Sequence, residues 1–199
     1  MKYLPRLFAA CLAALALLPV QDTAPPSGAL ALEAVEPVVV FLVRHAEKGA
    51  DDPRDPGLTD AGRARAAELA RVLGDAGVTH LFATEYRRTQ ETLLPLAEAV
   101  GVEVEVVGAR AFDAQMERLL ALEPGSIAVV AGHSNTVPAL TRQLSRAERT
   151  AAGRDLAEHL EEDEYDALFQ VVLPPPGRRT GEAAALPKLL ELRYGAIER

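Results

Sequence analysis

Val38-Val39-Val40-Phe41-Leu42-Val43 runs straight into Arg44-His45-Ala46-Glu47, so six apolar residues meet a guanidinium, an imidazole and a carboxylate with no turn between them. An apolar run of this length, rich in Val, reads as a strand buried on both faces. Strands of that kind belong to parallel sheets covered by helices, whose ligands collect outside the carboxyl ends. An Arg and a His at such an end suggest an anion held by the guanidinium and attacked by the imidazole.

Outward from this strand, the polar loop 48–57 leads to Thr59, a helix N-cap by residue type. Ala66, Leu69, Ala70 and Leu73 then recur at helical spacing, and Gly74 and Gly77 close the helix. A short strand at 80–83 precedes Thr84-Glu85-Tyr86-Arg87-Arg88-Thr89 and a second helix ending at Val100. Pro95 should kink that helix or mark a shorter start. Residues 102–106 alternate as a strand with one wet face, 112–122 read as a helix, and 127–131 as another buried strand. Gly132-His133-Ser134-Asn135 follows, then a helix over 137–144 and a charged stretch, 145–166. Runs 167–173 and 188–194, parted by Pro174-Pro175-Pro176-Gly177, read as an antiparallel edge hairpin. Strands alternating with helices predict a three-layer α/β/α sandwich with a mainly parallel central sheet. Right-handed crossovers would bring the ends of strands 38–43, 80–83 and 127–131 to one sheet edge. There Arg44, His45, one of the pair Arg87-Arg88, His133 and helix N-terminal amides would form a phosphate site.

The amino terminus reads as a targeting segment. Lys2 and Arg6 precede an apolar stretch from Leu7 to Val20, and Ala29-Leu30-Ala31 offers a small-x-small cleavage site. The expected division is a signal peptide over 1–31, a linker over 32–37 and one domain over 38–199, in an exported (periplasmic or secreted) protein. A retained membrane anchor is the alternative, against which the short apolar run argues; a lipoprotein anchored at Cys11 fits its preceding residues poorly. Cleavage leaves 168 of the 199 residues, ample for a single core. It removes a net +1 from a chain of net charge −8, leaving −9. That balance opposes a nucleic-acid partner, and phosphate binding must come from local Arg residues. The sole Cys lies in the leader, so the domain has no disulfide or thiol nucleophile.

Four blocks in this order resemble those of the histidine phosphatase superfamily, also called phosphoglycerate mutase-like. They are Arg44-His45-Ala46, Leu58-Thr59-Asp60-Ala61-Gly62, Arg88-Thr89-Gln90-Glu91-Thr92 and Gly132-His133-Ser134-Asn135. The resemblance runs from about Val38 to the C-terminus and singles out Arg88 over Arg87. It implies a phosphatase in which His45 attacks phosphorus, forming a phosphohistidine that water hydrolyses. Arg44, Arg88 and a protonated His133 would stabilise the phosphoryl oxygens, Asn135 would add a hydrogen bond, and no metal or cofactor is implied. A non-catalytic phosphate-binding module of the same fold is the second reading, and a phosphomutase the third.

Two departures stand out. Ala46 replaces the usual Gly, with the turn expected to survive. No residue takes the usual place of the acid that protonates a leaving alkoxide. Glu47 is the nearest candidate, with Asp113 and Glu117 behind it. Lacking an acid, the site would favour good leaving groups such as phosphohistidine or acyl phosphate. Short connections leave little material for a cap, which suits a phosphorylated small molecule less than a large or surface-presented phosphate. The remaining candidates read as structural: His80 and His159 as lone histidines, and Arg63, Arg65, Arg71 and Arg87 as solvated helix charges. Glu161-Glu162-Asp163-Glu164 reads as a surface acidic face, with a cation site as the other possibility, and Asn135 has a second possible role as an N-cap.

Overall fold

The computed structural model describes residues 36–151, 153–175, 178–179 and 185–195. The expected signal segment 1–31 and most of the expected linker 32–37 lie outside the described residues. Among the described residues, six strands form one sheet in the order β3-β2-β4-β1-β5-β6. They are β1 (Val38–Arg44), β2 (His80–Ala83), β3 (Val104–Val106), β4 (Ile127–Gly132), β5 (Ala167–Leu173) and β6 (Lys188–Arg193). The helices are α1 (Asp60–Leu73), α2 (Arg87–Val100), α3 (Phe112–Leu120) and α4 (Thr136–Ser145).

Alternation along the strands sorts the side chains into two cores. Phe41 and Val43 of β1, with Leu81, Val129 and Ala131, face Leu69 and Leu73 of α1 and Leu93 and Leu96 of α2. Val40 and Leu42, with Phe82, Ala128 and Val130, face Met116 and Leu119 of α3 and Val137, Leu140 and Leu144 of α4. Each fully buried Leu stabilises the packing by roughly 1.5–3 kcal/mol. The expected sandwich is therefore present, with a mixed sheet. β1 pairs β4 in parallel and β2 pairs both β4 and β3 in parallel, whereas β5 lies antiparallel between β1 and β6.

Two expectations change in detail, and a third, at Ala46, holds. Pro95 neither starts nor divides α2, which runs unbroken from Arg87 to Val100. The full burial of Leu93 and Leu96 offsets the intrahelical bond that Pro95 removes. β3 shrinks to three residues as the edge strand of the sheet among the described residues, and Glu105 and Val106 are exposed. Ala46 is completely buried and does not have a positive φ, so the missing Gly strains nothing.

The Leu-Thr-x-x-Gly block positions the site from behind. Thr59 caps α1 by accepting from the Gly62 N–H at 3.0 Å, as its residue type predicts. Its own N–H donates to the Glu47 carbonyl at 2.9 Å. Gly62 is buried against the backbone of Glu47, where a Cβ would collide with that carbonyl. Thr59 and Gly62 thus clamp the segment that leaves His45, and only a glycine allows α1 so close.

Candidate active site

Parallel register brings the three strand exits level. Arg44 aligns with Gly132, Ala83 aligns with Ala131, and the His45 N–H donates to the Gly132 carbonyl at 2.9 Å. Arg44, His45, Arg88, His133 and Asn135 all line one open cleft of about 380 Å³. The ring centroids of His45 and His133 lie 5.5 Å apart.

His45 is held in one tautomer. Its Nδ1 lies 2.8 Å from the Ala46 carbonyl, which can only accept, so Nδ1 carries the proton and Nε2 keeps its lone pair. Ala46 is itself anchored, donating its N–H to Thr92 Oγ1 at 2.9 Å. Thr92 in turn donates to the Arg88 carbonyl at 2.7 Å, which ties the Arg88 block to the His45 loop. Burial pushes the His45 imidazole from its ordinary 6.5 down to about 3, and the Arg88, His133 and Arg44 charges add to this against the Ala46 bond. His45 is therefore neutral and nucleophilic at pH 7.

His133 is fixed by the turn at the start of α2. Its Nε2 lies 3.1 Å from Thr84 Oγ1, which lies 2.8 Å from Thr89 Oγ1. Thr89 has carbonyl acceptors in Tyr86 at 2.8 Å and Thr84 at 3.1 Å. With the Thr89 proton on a carbonyl, Thr84 donates to Thr89 and accepts from His133 Nε2–H. Burial, then Arg88, lowers the His133 pKa to about 4, with Glu85 opposing. The expected imidazolium is thus neutral in the free protein, because two guanidiniums share its buried setting. A dianion bound among these groups would draw its pKa back up.

Both arginines lie over tyrosine rings. The Arg44 guanidinium carbon sits 4.2 Å from the Tyr165 centroid, and that of Arg88 sits 4.3 Å from the Tyr86 centroid. Arg44 is 6% exposed, and its Nη1 donates to the carbonyls of Glu161 at 2.6 Å and Glu162 at 3.0 Å. The acidic run 161–164 therefore serves the site through its backbone, a role its side chains do not announce. Arg88 has Asp55 at 3.8 Å. The Nε groups of Arg44 and Arg88 are buried without a protein acceptor among the described residues, as happens where a polar ligand belongs.

Glu47 is a correction. Its carboxylate is gripped by Arg65, from Nη2 at 2.7 Å and from Nε at 2.9 and 3.0 Å, and it does not line the cleft. A two-pronged guanidinium contact makes it an acceptor rather than a proton donor. Arg65 is correspondingly no solvated charge, since it also donates to the Tyr194 carbonyl at 3.0 Å. Asp113 and Glu117 are exposed on α3 and do not line the cleft either. Among the described residues no carboxylate lines it. Asn135 precedes α4 without a side-chain cap bond; Thr136 Oγ1 instead accepts the His133 N–H at 2.9 Å. Arg87 faces away into ion pairs with Asp51 and Glu91. Sequence reasoning missed Lys48, Tyr86 and Arg110 in the lining and Tyr165 against Arg44. Tyr86 stands beside a motif and could have been found, whereas Tyr165 belongs to no pattern.

Both imidazoles should titrate far below the ordinary value of 6.5. NMR titration of the ring protons is expected to show His45 and His133 uncharged at pH 6, with midpoints below about 5. Unfolded chain takes up these protons near 6.5 and folded chain only near 3 and 4, so stability should fall as pH drops through that window. A normal midpoint for His45 would contradict its burial.

Residues 40–109 match the histidine phosphatase superfamily (branch 1), a span carrying the first three blocks but not His133. No curated protein matches the chain by sequence. Among solved structures, the chain is similar to a candidate phosphohistidine phosphatase SixA from Nakamurella multipartitia, with TM-score 0.55 and 20% identity over 82% of this chain and 100% of that one. It is also similar to mycobacterial hydrolase 2, with TM-score 0.55 and 16% identity over 80% and 93% of the two chains. A third is the protein histidine phosphatase SixA complexed with tungstate, with TM-score 0.55 and 16% identity over 78% and 96%. The matching blocks thus stand on the expected strand exits: residues 40–109 are similar to the histidine phosphatase superfamily (branch 1), and the chain shares the fold of these solved structures.

Proposed function

We propose that this protein is an exported phosphatase that removes a phosphoryl group through a covalent phosphohistidine on His45. The observation that carries the reading is the neutral His45 Nε2, fixed by the Ala46 carbonyl and flanked by Arg44, Arg88 and His133. Nε2 attacks phosphorus as the bond to the leaving group breaks, and the guanidiniums balance charge on the phosphoryl oxygens. Water then attacks the phosphohistidine, releasing orthophosphate and restoring the imidazole. His133, drawn toward its protonated form by the bound dianion, donates to an oxygen of the group in flight.

No carboxylate in the lining supplies a proton to a departing alkoxide. Aryl phosphates, acyl phosphates and phosphoramidates, whose leaving groups depart with little help, should therefore outpace alkyl phosphates. One compared protein is named a candidate phosphohistidine phosphatase and another a protein histidine phosphatase, which accords with phosphoramidate chemistry. The open cleft suits a phosphate presented on a larger molecule. Export rests on the basic start, the apolar stretch and the Ala29-Leu30-Ala31 site.

Intact-mass spectrometry tests both parts. Protein recovered from outside the cytoplasm, mixed briefly with an aryl phosphate and quenched in alkali, should carry one phosphoryl adduct on a chain beginning near residue 32. A chain retaining residues 1–31 would overturn cleavage. Turnover without an adduct in a rapid quench would overturn the covalent route.

A further inference from the structure

We infer that Tyr86 is a positioning residue, whose ring sets the Arg88 guanidinium in place for the phosphoryl group; this rests on the phosphatase reading of the same site.

Tyr86 breaks a local rule. It is the N-cap of α2, with extended backbone at φ −77° and ψ 136°, and it makes no side-chain cap bond. Ser, Thr, Asp or Asn at that place would accept one of the first free N–H groups of the helix. The Arg87 N–H turns instead to the Asp55 carboxylate, at 2.9 Å on the loop before α1. A large ring thus stands where a cap belongs. Such conflicts between local preference and the residue present collect at functional sites.

The ring touches two members of the site. The Arg88 guanidinium carbon lies 4.3 Å from its centroid. The His133 ring meets it at 85°, with centroids 5.4 Å apart. Tyr86 itself lines the cleft. His133 therefore buttresses the tyrosine, and the tyrosine carries Arg88 over its face.

Arg88 depends on that support more than Arg44 depends on Tyr165. Arg44 has the Glu161 and Glu162 carbonyls as well as its ring. The Arg88 side chain is only 15% exposed, yet its one ion pair is to Asp55 at 3.8 Å, and its Nε is buried without an acceptor among the described residues. A long side chain held only by so distant a charge would lose its rotamer freedom on binding phosphate. A cation over an aromatic face is restrained without spending an N–H group, so the Arg88 donors stay available to phosphoryl oxygens.

The test uses the full chain and compares Tyr86→Asn, which removes the ring and restores a cap, Tyr86→Leu, which only removes the ring, and Tyr86→Phe, which keeps it. Orthophosphate affinity, by calorimetry at fixed ionic strength, should fall about fivefold or more in the Asn and Leu variants, with Phe recovering most of the loss. Their kcat/KM for an aryl phosphate should fall about tenfold. Melting temperature should not follow: Tyr86→Asn should melt above Tyr86→Leu because of its cap, while binding as weakly. In an Arg88→Ala background, Tyr86→Leu should weaken binding by less than about twofold further, since the group it acts through is gone. Unchanged affinity in the Asn and Leu variants, affinity that tracks melting temperature, or an undiminished loss in the Arg88→Ala background would overturn the inference. No phosphohistidine in the wild type would overturn the phosphatase reading instead, and leave the binding result standing.

Discussion

His45→Ala should lower kcat/KM for an aryl phosphate by on the order of 10⁴-fold or more, with the fold intact by circular dichroism. The size follows from the role. Nothing else in the lining is a nucleophile of comparable placement: His133 Nε2 is engaged with Thr84, and no carboxylate or thiol is present among the lining residues. The substitution leaves the two guanidiniums, so phosphate binding should survive while turnover collapses. Burial argues that the fold tolerates it, because His45 is 4% exposed and its strongest side-chain contact is to a neighbouring carbonyl. Below about pH 6 the variant should even gain stability relative to wild type, having lost a group whose protonation the fold resists. A rate within tenfold of wild type would remove His45 as nucleophile.

Arg44→Lys should cost on the order of 10²–10³ in kcat despite keeping the charge. Arg44 acts through two ends of one rigid plane. Nη1 is consumed by the Glu161 and Glu162 carbonyls, the face lies on Tyr165, and Nη2 has no bond within the described residues. A lysine ammonium is a single point. It can satisfy the loop carbonyls or meet a phosphoryl oxygen, but it cannot reproduce the planar fork that does both. Arg44→Ala should be at least as damaging to rate and should also loosen the 161–164 loop. Hydrogen exchange across that loop would separate the two effects, rising in the Ala variant more than in the Lys variant. Turnover by Arg44→Lys close to wild type would show that charge alone suffices.

The sheet and its two flanking layers were legible because buried strands and amphipathic helices write their burial into residue order. Val38 to Val43 must bury both faces, and Leu69, Leu73, Leu93 and Leu96 recur at helical spacing. The gathering of the candidate site residues was legible for a related reason. Arg44, His45, Arg88 and His133 stand at or just beyond strand exits, and parallel pairing carries those exits to one edge. Glu47 was misread because adjacency along the chain says nothing of side-chain direction, and its partner Arg65 stands on α1, beyond the intervening loop. The shorter helix start offered at Pro95 did not hold, because local propensity cannot weigh the burial of Leu93 and Leu96 on either side of it.

The chain alone determined which residues could do chemistry, since nucleophile, cations and framework follow from residue type and period. Tertiary packing decided their states. It pushed His45 to its neutral form and set its tautomer, lowered the pKa of His133, and turned the acidic run 161–164 into carbonyl ligands for Arg44. It also placed Tyr165 beneath that guanidinium and left Lys48 and Arg110 facing one cleft. Those outcomes depend on desolvation and on through-space charge among residues far apart in the chain, and neither quantity exists until the chain has folded.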